Sequence, residues 1–228
     1  MCFWPSGSQY SISQNMVHST NGGIIELRTQ FSSGAFTICR VSASGTPLWR
    51  KEVVLNDTFG MFYTKNILEL PGGDFLVSGA VSNQNYPTQN GHFAMRFDST
   101  GNLLWKKLIR INAQSRDEFT LYSPFGQGTL YFVSSCYNNA ISLGGVHILK
   151  TDVNGNILDS AFFQIDQSQF AVPKAGIINS QGDLVLAGGS YQKLYFMRLD
   201  TSLQMMDTRS LTCLNGPQTV LTVNNIIE

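Results

Sequence analysis

The sequence predicts an all-β protein, a β-propeller built from four-stranded antiparallel blades. Three observations lead to this prediction: one motif repeated four times, short alternating apolar strands joined by tight turns, and no stretch with a convincing helical period. Four strands in about 50 residues is the size of one propeller blade. A β-sandwich would also contain many short strands, but it would not repeat one motif in four aligned copies.

The first two strands of each unit are marked by a recurring glycine. The strands that follow it alternate apolar and small side chains, as in GDFLVSGAV (73–81) and GDLVLAGGS (182–190). An apolar segment such as FYTKNILEL (62–70) precedes the glycine, and a fifth copy of that segment is TVLTVNNIIE (219–228). The glycines are Gly23, Gly73, Gly128 and Gly182, at spacings of 50, 55 and 54 residues.

The third and fourth strands of each unit form a hairpin with recurring turn residues. A basic residue precedes the turn, Asp or Ser opens it, and glycine follows three positions later, which is typical of a type I turn closed by a left-handed residue. Because the pattern recurs in every unit, we expect the basic residues to bond turn carboxylates or backbone carbonyls of a neighbouring blade. The positions are Arg40, Arg96, Lys150 and Arg198; Ser42, Asp98, Asp152 and Asp200; and Gly45, Gly101 and Gly155, with Leu203 in the last copy.

Two tryptophans follow the hairpin turns of the first two units. We expect Trp49 and Trp105 to wedge between adjacent blades, where each would bury about 150–250 Å². The last two units have Asp159 and Asp207 at this position.

We expect a single domain over residues 1–228, with blades at approximately 11–56, 59–112, 116–166 and 169–212. Residues 218–228 would be the first strand of a further blade or a closing strand. We favour a piece of a longer propeller; the alternatives are a closed four-bladed ring with a displaced terminal strand, or chains that complete one another. Open ends expose strand edges and apolar faces, which would favour self-association.

The balance of charges excludes one class of partner, the nucleic acids. The chain has 15 basic and 15 acidic residues, so its formal net charge is zero, and it has no basic cluster, which argues against nucleic acid. It has no run of 18 apolar residues, so we expect no membrane span.

The opening MCFWPSGSQY lacks the basic and apolar regions of a signal peptide. The four cysteines form no CxxC and therefore neither a zinc site nor a redox motif; they are Cys2, Cys39, Cys136 and Cys213.

The repeat consensus, a glycine pair and apolar strand followed by F-x-h-[KR]-h-D-x-x-G-N-h-h-W, resembles the β-propeller repeats of bacterial secreted and surface proteins. Those repeats are similar to PQQ-type (quinoprotein) repeats. The resemblance covers about residues 11–212 and implies a propeller in an extracytoplasmic location. A quinoprotein dehydrogenase would have eight blades and, in the alcohol dehydrogenases, a vicinal cysteine pair; this chain has neither, so we expect no cofactor. The second unit matches best, with Gly72, Gly73, Arg96, Asp98, Gly101, Asn102 and Trp105.

Catalytic groups are few. His92 and His147 begin the third strands of neighbouring units, one position out of register, so we expect them to face opposite sides. Each is expected to be a hydrogen-bonded or exposed histidine rather than a ligand. The sequence contains no HExxH, GxSxG or P-loop, and the turn aspartates lack the spacing of a calcium loop. We therefore expect no metal site and no enzyme.

The candidate binding site lies in two enlarged loops that connect the second and third strands of units two and three. These loops, VSNQNYPTQNGH (81–92) and YNNAISLGG (137–145), should lie on one face, and the corresponding loops of units one and four are short. Amides beside aromatic rings can bind sugars or form an adaptable protein-binding surface. The candidate residues are Asn83, Gln84, Asn85, Tyr86, Gln89, Asn90, Tyr137, Asn138 and Asn139.

These observations predict a non-enzymatic module for protein–protein or cell-surface adhesion contacts. One alternative is a glycan-binding module of a polysaccharide-processing system. The other is a fragment of a propeller enzyme whose active site lies outside this chain.

Overall fold

A computed structural model describes residues 11–30, 35–54, 61–82, 91–110, 114–123, 128–138, 143–165, 171–190 and 193–212. These residues form sixteen strands in four antiparallel four-stranded sheets, with strands adjacent in sequence also adjacent in the sheet. They contain no helix, and hence none long and apolar enough to cross a membrane. The prediction of an all-β propeller of four-stranded blades is confirmed.

The strands have the following bounds. Blade one consists of β1 (Ser11–His18), β2 (Ile24–Gln30), β3 (Ala35–Val41) and β4 (Pro47–Val54). Blade two consists of β5 (Met61–Glu69), β6 (Phe75–Ser82), β7 (Gly91–Phe97) and β8 (Leu103–Arg110). Blade three consists of β9 (Gln114–Ser123), β10 (Thr129–Asn138), β11 (Leu143–Asp152) and β12 (Ile157–Phe163). Blade four consists of β13 (Ala171–Ile178), β14 (Leu184–Ser190), β15 (Lys193–Leu199) and β16 (Met205–Thr212).

The turn between the third and fourth strands has the same hydrogen bonds in every blade. In blade two, the Gly101 amide donates to the Asp98 carbonyl at 3.0 Å, and Gly101 has a φ of 83°. The Asp98 carboxylate accepts hydrogen bonds from the Asn102 amide and from the hydroxyl and amide of Thr100, and these bonds hold its pKa at about 2. Leu203 occupies the glycine position of blade four with a φ of 56°.

The blades stack face to face in sequence order, and we call the interface of two consecutive blades a joint. Paired residues on neighbouring strands lie on the same face of a sheet, so the strand register assigns each side chain to one face. We call the face of a blade that points towards the next blade in sequence its downstream face, and the opposite face its upstream face. In each joint the downstream face of one blade packs on the upstream face of the next. In the first joint, Leu27 and Ile38 of blade one share a buried cluster with Val77 and Met95 of blade two.

A recurring basic side chain links each of the first three blades to the turn of the next, whereas Arg198, expected to do the same, bonds Asp183 and Gln181 of its own blade. Arg40 Nη1 donates to the Ser99 carbonyl at 2.9 Å. Arg96 Nη1 donates to the Val153 carbonyl at 3.1 Å, and Lys150 Nζ bonds the Thr201 carbonyl. The acceptor is in each case the residue after the one that opens the turn of the following blade. These residues are therefore structural links between blades.

The two tryptophans lie against glycines of the following blade. A Cβ added to Gly101 would lie 3.1 Å from the Trp49 ring, and one added to Gly155 would lie 3.0 Å from the Trp105 ring. The Trp49 ring also stacks on Phe75, with ring centroids 5.7 Å apart, and its Nε1 donates to the Ser99 carbonyl. Each indole thus needs a turn residue without a side chain.

The described strands show close packing between consecutive blades, but none of that extent between blade one and blade four. The predicted additional strand, residues 218–228, lies outside the described residues.

Candidate functional site

Most of the predicted loop residues lie outside the part of the chain that the structure describes. They are Asn83, Gln84, Asn85, Tyr86, Gln89, Asn90 and Asn139. Tyr137 and Asn138 end β10, where they pair with Gly144 and Leu143 of β11. Since β6–β7 and β10–β11 are equivalent hairpins of adjacent blades, their connections leave the sheets at the same end. We call it the loop end of blades two and three.

Two histidines lie at this end of the second joint. His92 pairs with Ala80 and lies on the downstream face of blade two. His147 pairs with Ser134 and lies on the upstream face of blade three. The two residues are on opposite faces of their own blades, as the sequence predicts, but the stacking of the blades turns those two faces towards each other.

Burial and electrostatics set the protonation state of His147. His92 and Ser134 are fully buried. Burial and, as the smaller cause, the nearby His92 lower the pKa of His147 to about 4. His147 is therefore neutral at physiological pH. Its Nδ1 and the Ser134 hydroxyl are buried without a hydrogen-bond partner among the described residues. We call His92, Ser134 and His147 the histidine layer.

The same level of the other two joints is occupied by aromatic and aliphatic side chains. In the first joint, the positions of His92 and His147 are held by Phe36 and Phe93. In the third joint they are held by Val146 and Tyr195. The second joint is thus polar where the first joint is apolar. Of the two loops expected to be enlarged beside it, the β6–β7 connection (83–90) has eight residues, but the β10–β11 connection (139–142) has four, as many as the β2–β3 connection (31–34) of blade one.

The one-position offset predicts opposite faces for the two histidines but does not predict that they meet. The signal was present in the repeat itself, because His92 aligns with Phe36 and His147 aligns with Phe93, and those two positions meet across the first joint. Recognising it requires knowing which face of each blade meets the next.

The opposite end of the first joint has an open cavity of about 330 Å³. Arg40 and Trp49 line it, together with Leu48, Ser99 and Thr100. Both Arg40 and Trp49 already donate to the Ser99 carbonyl, and Arg40 Nη2 also bonds Ser19 Oγ at 2.9 Å. The guanidinium and indole groups that line this cavity are therefore engaged in holding the joint.

A metal ion requires several convergent ligands. Within the described ranges no three His, Cys, Asp or Glu residues lie close enough together to hold one. The histidine layer has imidazole and hydroxyl groups that can donate or accept hydrogen bonds, and because His92 and Ser134 are fully buried this arrangement suits an ordered water molecule.

Comparison with known proteins supports the fold. No protein-family model and no curated protein matches the chain. Among solved structures, a Bacteroides caccae protein of unknown function has a TM-score of 0.54 at 15% identity, over 89% of this chain and 61% of its own. A Lactobacillus plantarum protein has a TM-score of 0.55 at 13% identity, over 89% of this chain and 56% of its own. This chain thus spans less than two thirds of either structure.

An α-L-arabinofuranosidase from Lactobacillus brevis is also similar, with a TM-score of 0.50 at 13% identity, over 83% of this chain and 70% of its own. This finding corrects the expectation that the chain is not an enzyme. Propellers of this arrangement include an enzyme, so the lack of a catalytic sequence motif excludes no activity. At such low identity the likeness itself shows only the fold.

Proposed function

We propose that the chain is a ligand-binding propeller whose site is the loop end of blades two and three and whose ligand is a neutral glycan. The supporting observation is the histidine layer. It makes the second joint polar at the loop end, at a level where the first joint is packed with phenylalanine. Buried polar groups are costly to an interface. The third joint has one such group at this level, the Tyr195 hydroxyl, so the feature particular to the second joint is the pair of imidazoles with Ser134, which favours a role in binding.

The composition of the loops fits this ligand class. Residues 83–90 (NQNYPTQN) and 139–142 (NAIS) contain amide side chains and a tyrosine but no charged group. Amides hydrogen-bond sugar hydroxyls and aromatic rings stack on sugar faces. These two segments offer no charge to a partner protein that recognises its target by complementary charge, although Arg110, Arg116 and Glu118 lie on strands at the same end. Protein contact at the same end is the other outcome of the test below.

The remaining features of the proposal come from weaker relationships. The likeness to bacterial surface and PQQ-type repeats favours an extracytoplasmic location. The similar α-L-arabinofuranosidase suggests arabinose-containing oligosaccharides as one class of ligand to include, and a test for sugar release as well as for binding.

The experiment uses the full chain and a matched pair of loop variants. Residues 83–90 are replaced by Tyr-Gln, which is the short connection at 191–192 of blade four, and in the control the same replacement is made at 31–34 of blade one. Each protein is applied to an array of neutral plant and microbial oligosaccharides, including arabinans. We expect selective binding that falls at least about tenfold in the blade-two variant and not in the control.

Two results would contradict the proposal. A folded wild-type chain that binds no oligosaccharide on the array would exclude the ligand class. Binding that survives replacement of 83–90 would exclude the site. If the wild-type chain binds an oligosaccharide on the array and also releases free sugar from it, the same site would in addition have an enzymatic activity.

A further inference from the structure

The downstream face of blade four differs from the other downstream faces because it is apolar and exposed. Ile177 on β13 is 63% exposed and Phe196 on β15 is 42% exposed. Strand register places both on this face, beside Val185 and Ala187. The positions equivalent to Ile177 are Val17, Leu68 and Leu121, and those equivalent to Phe196 are Ile38, Ala94 and Ile148. All six belong to buried clusters in the three joints or pack against them.

The basic residue of blade four also lacks the link that its equivalents make. Arg40, Arg96 and Lys150 each bond a carbonyl of the following blade. Among the described residues, Arg198 bonds only Asp183 and Gln181 of its own blade. The downstream face of blade four thus has the apolar residues and the basic residue that, in the other three blades, contact a following blade.

The chain contains a segment with the sequence of the missing partner. In each joint the first strand of the following blade packs on the first two strands of the preceding blade, as β5 does on β1 and β2. Residues 225–228 (NIIE) match 66–69 of β5 (NILE) at three of four positions. Asn66 lies twelve residues after the end of β4, and Asn225 lies thirteen residues after the end of β16.

Glu69, the last residue of the matched segment in β5, has defined hydrogen-bond and ion-pair partners. Glu69 accepts hydrogen bonds from Ser19 Oγ at 2.8 Å and from the Thr20 amide at 2.6 Å, and it lies 3.8 Å from Arg40. In the alignment, Glu228 takes the place of Glu69 and Arg198 takes the place of Arg40. Asn179 and Ser180 take the places of Ser19 and Thr20.

We propose that residues 219–228 pack as the first strand of a fifth blade on the downstream face of blade four. Ile226 covers the surface around Ile177 and Val185, and the Glu228 carboxylate lies at Asn179 and Arg198. Ile67, the equivalent of Ile226, is buried in the first joint, and its neighbour Leu68 lies on the opposite face of β5. The proposal therefore distinguishes Ile226 from Ile227.

The test is hydrogen exchange of the full chain, with two variants one residue apart. Ile226→Asp places a charge in the proposed contact, and Ile227→Asp places the same charge on the side facing away from blade four. We expect amides in residues 171–190 to exchange about tenfold faster in Ile226→Asp and at the wild-type rate in Ile227→Asp. Equal exchange in all three proteins, or an equal increase in both variants, would overturn the proposal.

A second copy of the chain is the competing occupant of this face. Light scattering at micromolar concentration separates the two cases. We expect a wild-type monomer. A dimer that Ile177→Asp dissociates and Ile226→Asp leaves intact would assign the face to a second copy and overturn the proposal.

Discussion

The first and third joints use the same backbone turn but fill the space beside it differently. In the first joint, the Trp49 ring lies where a side chain on Gly101 would collide with it. In the third joint, Asp159 replaces the tryptophan and is exposed, and Leu203 replaces the glycine. Leu203 keeps the left-handed backbone, with a φ of 56°, and only 3% of its surface is exposed.

The difference shows that the tryptophan and the glycine depend on each other: the turn needs a glycine only where an indole from the preceding blade lies against it. A left-handed conformation costs a residue other than glycine about 1–2 kcal/mol. Burial of a leucine side chain contributes about 1.5–3 kcal/mol. A leucine is therefore tolerated at this turn position where no indole fills the joint, and Leu203 instead packs into the cluster between blades three and four.

The largest expected effect separates the basic links of these two joints. Arg40 and Glu69 are both buried, so Arg40→Met leaves a buried carboxylate without its cation, and we expect a loss of about 4 kcal/mol in the free energy of unfolding. Lys150 bonds Thr201 in an exposed setting, so Lys150→Met should cost about 1 kcal/mol or less. Urea unfolding measures both, and equal losses would show that the two links are energetically alike.

The second expected effect separates the residues that fill the two joints. Trp49→Ala removes the stacking on Phe75 and the bond to the Ser99 carbonyl, so we expect a loss of about 3 kcal/mol. Asp159 is exposed, and its carboxylate bonds the adjacent Ser160 amide, so Asp159→Ala should change stability by less than about 0.5 kcal/mol. A comparable loss from both variants in urea unfolding would contradict the comparison.

The repeat made much of the fold predictable from sequence. The recurring glycine, the Asp-opened turns and the alternating strands each follow from local backbone preferences, and local preferences appear directly in a sequence. The basic residues before the turns could be interpreted as links between blades, because one role repeated in every unit is architectural. The structure adds the partner of each link.

The candidate site was less predictable because it depends on which faces meet. The offset between His92 and His147 gives their faces correctly, but only the stacking order of the blades reveals that those faces are in contact. In the same way, the loss of Trp and the loss of Gly in the last two units could be noted in the sequence. Their connection is visible only where Trp49 and Gly101 touch.

A third prediction distinguishes the second joint from the third by its response to pH. The pKa of His147 is lowered to about 4 in the folded protein, against about 6.5 in an unfolded chain. The unfolded state therefore binds the proton more readily between these values, so stability is complete above about pH 6.5 and falls as the pH is lowered towards 4. We expect a loss of about 2 kcal/mol from this group between pH 7.5 and pH 5, and about 3 kcal/mol in total.

The control for the pH effect is His147→Gln, which removes the titrating group. Tyr195 at the equivalent position of the third joint has a pKa raised by burial, so it stays neutral throughout this range. Stability measured by urea unfolding at pH 7.5 and pH 5 should therefore differ less in His147→Gln than in the wild type. An unchanged difference would assign the acid sensitivity to other groups.

The smallest expected effect tests whether Leu203 compensates for the missing indole. Leu203→Gly relieves the left-handed strain of about 1–2 kcal/mol, but it also removes a buried side chain whose loss costs about 2–5 kcal/mol. We expect a net loss of about 2 kcal/mol in urea unfolding. In the first joint, the reverse change Gly101→Leu should destabilise wild type strongly and do so less in a Trp49→Asp background, because the collision with the ring is then gone. If Leu203→Gly stabilised the chain instead, the strain of the left-handed backbone would exceed the stabilisation from burying the leucine side chain. The pairing of tryptophan with glycine would then not explain the difference between the joints.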